Sequence, residues 1–122
     1  MLNLEPYFYD HEFNCKCGCG LGFGDMDKQF LQKLLDVRIF ANCPFVIVSG
    51  IRCQEHNNRV GGKPNSSHLK GHAVDISCND SSTRHKIIKF ALQVGFNRIG
   101  IAKTFIHLDD DNSLPQKVIW MY

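Results

Sequence analysis

Two imidazoles and a carboxylate, His68, Asp75 and His107, stand where they could share a metal ion. Asp75 lies in Ala73-Val74-Asp75-Ile76-Ser77 and His107 in Phe105-Ile106-His107-Leu108-Asp109, and both runs alternate as half-buried strands do. Val74, Ile76, Ile106 and Leu108 then point to one face, and Asp75, His107 and Asp109 to the other. If the apolar faces share a core, the polar residues share the opposite face. His68, a little upstream at the end of a glycine-containing loop, can fold back over it. Two histidines and a carboxylate, with a fourth position open, suit Zn2+, which as a Lewis acid brings the pKa of water toward about 7 and so points to hydrolysis. Without a metal the same residues are a surface loop histidine and a solvated strand face. Spacing alone leaves both readings open.

The elements that must position these residues can be read along the chain. Residues 1–24 are irregular, aromatic at Tyr7, Phe8, Tyr9 and Phe13 and then rich in cysteine and glycine, as expected of a strap over the core. Asp25 is a plausible N-cap for a helix whose Met26, Phe30, Leu34, Val37 and Ala41 recur on one face, ending near Asn42-Cys43-Pro44. Phe45–Ser49 reads as a short buried strand. Arg52 to Lys70 is polar, with Gly61-Gly62 and Pro64, and is expected to be a long loop with one helical turn around Gln54–Arg59; long ordered loops in compact domains tend to be functional. Ala73–Ser77 follows as a strand. Ser81 or Ser82 caps a second helix with Ile87, Ala91 and Val94 on one face and Gly95 at its end. Arg98–Ala102, Thr104–Asp109 and Val118–Met121 complete the strands. This order predicts a small single α+β domain over residues 1–122, with a largely antiparallel sheet, two main helices and a long loop at the active site.

Composition narrows the function classes. The chain has 122 residues, 43% of them hydrophobic, which supplies one core and not two. A formal charge of +2 lacks the basic stripe of a phosphate-binding surface, so nucleic acid is not an expected partner. Glu5 and Pro6 occupy the region where a secretory leader would be basic and then apolar, and no segment has the length of a membrane span. If its target lies outside the cytoplasm, the protein either stays cytoplasmic until another agent releases it or has been separated from its leader, and these features leave the location open.

A longer pattern surrounds the metal candidates. Ser66-Ser67-His68-Leu69-Lys70-Gly71-His72-Ala73-Val74-Asp75 resembles the SxHxxGxAxD signature of the zinc D-Ala-D-Ala carboxypeptidase and dipeptidase family. Phe105–Asp109 resembles that family's second ligand segment, and Ser49-Gly50-Ile51-Arg52 its Ser-Gly-Tyr-Arg run. Glu55-His56-Asn57, Gly61-Gly62 and Trp120-Met121-Tyr122 are similar to the short phage and prophage members. The resemblance implies that His68, Asp75 and His107 hold the zinc. Small residues at Gly71 and Ala73 would let the loop approach the strand closely. The resemblance also turns Arg52 toward substrate, where it would hold a terminal carboxylate or stabilise an oxyanion; otherwise it is a surface ion-pair residue. Ser66 would hydrogen-bond the substrate backbone or serve as a turn residue.

One position departs from the pattern. Better-described branches carry a carboxylate three residues before the second histidine, where this chain has Thr104. Asp109 is the nearest replacement as general base, and it could equally orient the His107 ring. His56 and His72 are further candidates, each with a structural alternative.

Six cysteines remain: Cys15, Cys17 and Cys19 close together, with Cys43, Cys53 and Cys78 elsewhere. Disulfides tying the strap to the loop after Arg52, a structural zinc, or reduced thiols packed as small hydrophobes all fit; a link from the Cys15–Cys19 group to Cys53 is favoured. The expected activity is that of a monomeric zinc metallopeptidase cutting D-amino-acid-containing stem peptides of peptidoglycan, as carboxypeptidase or endopeptidase. The alternative is a catalytically weak zinc-containing module for cell-wall binding or phage morphogenesis.

Overall fold

The computed structural model describes residues 2–122; Met1, at the start of the expected strap, lies outside them. Five strands form one sheet in the order β1-β2-β4-β3-β5: β1 Ile47–Ser49, β2 Ala73–Ser77, β3 Arg98–Ile101, β4 Phe105–Asp109 and β5 Val118–Met121. Every pairing is antiparallel except that of β3 with β5. The helices are α1 Lys28–Ala41, α2 Gln54–Arg59 and α3 Ser81–Val94. The α+β architecture and the largely antiparallel sheet expected from the order of elements are both present.

The sheet has two different faces because β2 and β4 alternate as their sequences do. Val74, Ile76, Ile106 and Leu108 are buried in the core with Ile99, against Phe30, Leu34 and Val37 of α1 and Ile87 and Ala91 of α3. At roughly 1.5–3 kcal/mol per buried large apolar side chain, this layer is what holds the helices on the sheet. No helix among the described residues is long and apolar enough to cross a membrane.

Helix α1 starts later than its apolar pattern suggested. Met26 keeps an extended backbone, so the first helical turn forms only after Asp27, whose carboxylate accepts the Phe30 N–H at 2.9 Å. Asp25 instead accepts the Gly22 N–H at 2.9 Å across a 3-10 turn at Phe23–Asp25. In α3 the cap is Asp80, which accepts the Thr83 N–H at 2.9 Å, and Ser81 is already helical. Strand β1 is shorter than the run Phe45–Ser49: it begins at Ile47, and its register with β2 shifts between Ile47 and Ser49. Phe45 leaves the ladder and joins the core, its ring 6.4 Å from that of Phe8.

The N-terminal strap does lie over the core through Leu4, Phe8, Phe13 and Cys15, whereas Tyr7 and Tyr9 face solvent. It is stitched to the segment after β1, where the Ile51 N–H donates to the Phe13 carbonyl at 3.2 Å. Within the long loop, fully buried Asn57 spans α2 and the following turn: its Nδ2 donates to the Lys63 carbonyl at 2.9 Å, and its own carbonyl accepts the Gly62 N–H at 2.9 Å.

Candidate metal centre

The polar face of the sheet brings the three predicted ligands together. Asp75 of β2 pairs directly with His107 of β4, so their side chains leave the same face side by side. His68 arrives from the 3-10 turn Ser67–Lys70 that precedes β2. Its Nε2 lies 3.3 Å from Asp75 Oδ1, and His107 Nδ1 lies 3.0 Å from the same oxygen. The face is not solvated: His68, Asp75 and His107 are 2%, 5% and 6% exposed.

Both rings have their outer nitrogen tied. His68 Nδ1 is 2.8 Å from the Gly50 carbonyl, which can only accept, so Nδ1 carries the proton and Nε2 is left with a free lone pair. His107 Nε2 is 2.6 Å from Asp109 Oδ2, which likewise turns Nδ1 toward Asp75. The donor atoms of all three side chains fall within 4.8 Å of one another. Ligands on a tetrahedral zinc at ~2.0–2.1 Å stand roughly 3.3 Å apart, so the 3.0 and 3.3 Å separations match a shared ion. Imidazoles oriented by a carbonyl and a carboxylate behind them are the arrangement metal-binding histidines require. The residues present fit the ion.

The carboxylates and imidazoles of the cluster perturb one another. Burial alone would raise the Asp75 carboxyl, but hydrogen bonds from His107 and His68 outweigh it and hold the group well below the usual carboxylate range. Burial opposes the charged His107 ring, yet bonds to Asp109 and Asp75 push its pKa up.

Around the donors, Arg52 comes from the segment between β1 and α2. Its Nη2 is 3.4 Å from Asp75 Oδ2, while Nε donates to Ser49 Oγ at 3.2 Å and Nη1 to Asn57 Oδ1 at 3.3 Å. The guanidinium is thus aimed at the site by a hydroxyl and a buried amide. Ser66 caps the 3-10 turn, with its Oγ accepting the His68 N–H at 3.2 Å. Asp109 is 1% exposed and both its oxygens are occupied, Oδ2 by His107 and Oδ1 by Arg98 Nε at 2.8 Å and the Asp111 N–H at 3.1 Å. Thr104 sits exposed in the tight turn between β3 and β4. His72 is engaged by Asp110 at 2.6 Å, and His56 lies on α2, its N–H on Cys53 Sγ at 3.3 Å.

Three features of the site had no sequence reading. Arg98 anchors Asp109 from β3, directly opposite it in register. Asp75, His107, Gly100 and Trp120 form one row across β2, β4, β3 and β5. Gly100 leaves room in that row: a Cβ there would meet the Trp120 indole at 2.7 Å, so its absence lets the indole lie flat over β3, 5.4 Å from the His107 ring and 4.9 Å from the Arg98 guanidinium. Finally, buried Asp111 accepts Ser67 Oγ and Lys70 Nζ, both at 2.8 Å, and so fastens the turn that carries His68 to the end of β4. Register was the missing information for Arg98 and Trp120. Sequence alternation marks a face but not the neighbour on the next strand.

Residues 6–109 match the family model described as Peptidase M15, a stretch that contains the three donors, Arg52 and Asp109 and ends before β5. No curated protein matches the chain. Peptidases of this family are zinc-dependent. A match that spans most of the chain, over a histidine and carboxylate cluster with the donor geometry of zinc, places this chain in the Peptidase M15 family of zinc-dependent metallopeptidases.

Proposed function

We propose that the protein hydrolyses peptide bonds in the stem peptides of peptidoglycan, as a carboxypeptidase or endopeptidase acting next to D-amino acids. The observation that carries this reading is the convergence of His68 Nε2, Asp75 Oδ1 and His107 Nδ1 beside an arginine aimed at them. The substrate class rests on the similarity of Ser66–Asp75 to the D-Ala-D-Ala peptidase signature.

Zinc, when bound by these three residues, polarises a carbonyl and brings the pKa of water toward about 7. The Gly50 carbonyl and Asp109 keep the two imidazoles in the tautomers that present lone pairs inward. We assign Asp109 this positioning role instead of that of general base, since its oxygens are already shared among His107, Arg98 and the Asp111 amide. Arg52 binds the negative charge of substrate, either a terminal carboxylate or the developing oxyanion, with its fork held by Ser49 and Asn57. Ser66, occupied with the His68 amide, shapes the turn that delivers His68. The half-buried Trp120 indole forms an apolar wall next to His107.

Thr104 supports a second reading, a zinc-containing wall-binding or morphogenetic module with weak turnover, because it cannot accept a proton where the pattern expects a carboxylate. One experiment separates the two. Purified muropeptides are incubated with fully zinc-loaded protein and the products weighed by mass spectrometry. Release of D-alanine or of cleaved stem peptides, abolished by a chelator, supports the peptidase. Binding without release at full zinc occupancy rejects it in favour of the module.

A further inference from the structure

A second cluster lies outside the histidine site. Cys15, Cys17 and Cys19 of the strap and Cys53 of the loop place their four sulfurs within 4.8 Å of one another. The nearest pairs are Cys15–Cys17 at 3.4 Å and Cys17–Cys53 at 3.6 Å. A disulfide needs about 2.05 Å. Two thiolates on one tetrahedral zinc, each at ~2.3 Å, stand roughly 3.8 Å apart.

The surrounding backbone is arranged for such an ion. Gly18 and Gly20 take φ of +81° and +101°, and these turns bring the three alternate cysteines of the strap to one point. The Cys53 N–H approaches Cys15 Sγ at 3.4 Å and the His56 N–H approaches Cys53 Sγ at 3.3 Å, donors that stabilise sulfur carrying negative charge.

We propose that Cys15, Cys17, Cys19 and Cys53 bind one structural zinc ion as a closed four-thiolate site. Binding replaces the thiol protons, which leave to solvent, and changes no oxidation state. The ion ties the strap to the residue directly after Arg52. In the same segment, the Gly50 carbonyl holds His68 Nδ1, and the Arg52 N–H donates to the His68 carbonyl at 3.0 Å. The cysteine site therefore braces the loop that positions both Arg52 and His68, and the intact protein carries two metal ions of different chemistry.

The test is cobalt substitution of the full-length protein, stripped of metal and reduced under anaerobic conditions. Only sulfur ligation gives an intense thiolate-to-cobalt charge-transfer band in the near ultraviolet, so this readout does not depend on the histidine site or on activity. The expected result is a band that saturates at one cobalt per chain, survives in His68→Ala, and is lost in the Cys17→Ser, Cys19→Ser double variant. Total zinc in the native protein should fall from two ions per chain to one in either variant. Absence of the band in reduced, folded wild-type protein overturns the proposal. So does a denatured, non-reduced mass showing these cysteines joined in disulfides in protein purified under reducing conditions. If the band is absent from the wild-type protein while muropeptide release is intact, this site is removed and the peptidase reading stands.

Discussion

The two donor clusters are built in opposite ways. The histidine and carboxylate cluster stands on paired strands of the sheet, and each imidazole is held from behind by a carbonyl or a carboxylate. Its side chains are fixed by strand pairing and by these hydrogen bonds. The cysteine cluster stands on a glycine-turned strap, with Cys15 buried, Cys17 and Cys53 half-buried and Cys19 exposed. Only a few backbone bonds order it, among them Cys15 N–H to the Leu21 carbonyl at 2.9 Å and Gly18 N–H to the Cys15 carbonyl at 3.1 Å. A catalytic ion needs a preformed site with one position left open, whereas a structural ion completes the fold by filling all four positions itself. In this molecule the two kinds of site meet at the segment from Gly50 to Cys53.

Mutations on the sheet side give the largest expected effect. Asp75→Ala removes the carboxylate shared by both imidazoles, and the transition-state stabilisation of several kcal/mol that the metal supplies is lost with it. Peptidase kcat/KM should fall by at least about 10³-fold, and zinc analysis should show one ion per chain missing. If activity persists after the ion has gone, the sheet cluster is not the catalytic centre.

Arg52→Ala comes next. It should lower kcat/KM by about 10²–10³-fold, the scale of a lost oxyanion donor, with zinc content unchanged. Steady-state kinetics beside metal analysis reads both quantities, and a variant that loses zinc instead would make Arg52 a support of Asp75 rather than a substrate-binding group.

Asp109→Asn acts through His107 and should weaken zinc binding by about 10–100-fold while leaving the zinc-saturated turnover near that of the wild type. Activity titrated against free zinc measures this. A loss of turnover that excess zinc cannot restore would return the general-base role to Asp109.

The smallest effect is one of stability. Burial would raise the Asp111 carboxyl, but Lys70, Ser113 and Ser67 hold it well below the usual range. Its folded-state pKa is depressed, so its contribution is present above an unfolded pKa of about 3.9 and disappears as pH falls through the folded value. Asp111→Asn should cost about 1–3 kcal/mol in urea unfolding at pH 7, and the gap from wild type should close on going below about pH 4. A gap independent of pH would mean that packing and not charge fastens the His68 turn.

What the sequence made legible follows the same division. Alternation in Ala73–Ser77 and Phe105–Asp109 was enough to put Asp75, His107 and Asp109 on one face, because side-chain direction in a strand is local information. The apolar stripes of α1 and α3 were legible for the same reason. Caps were less so, since Asp25 and Asp27 are both good N-caps and only the extended backbone at Met26 selects the second. Least legible were the partners that hold the site. The Gly50 carbonyl is a backbone atom with no side-chain signature, and Arg98 meets Asp109 through strand register that no local pattern encodes. Thr104 pointed to Asp109 as a replacement base; the Arg98 contact, invisible in sequence, is what makes the orienting role the better reading.

The most direct test of this account is a crystal structure of the zinc-loaded protein with anomalous data at the zinc edge. The account predicts an ion bound by His68 Nε2, Asp75 and specifically the Nδ1 atom of His107 at about 2.0–2.2 Å, with Asp109 still on His107 Nε2. Zinc held through His107 Nε2 with Asp109 displaced, or no zinc between these three side chains, would contradict it.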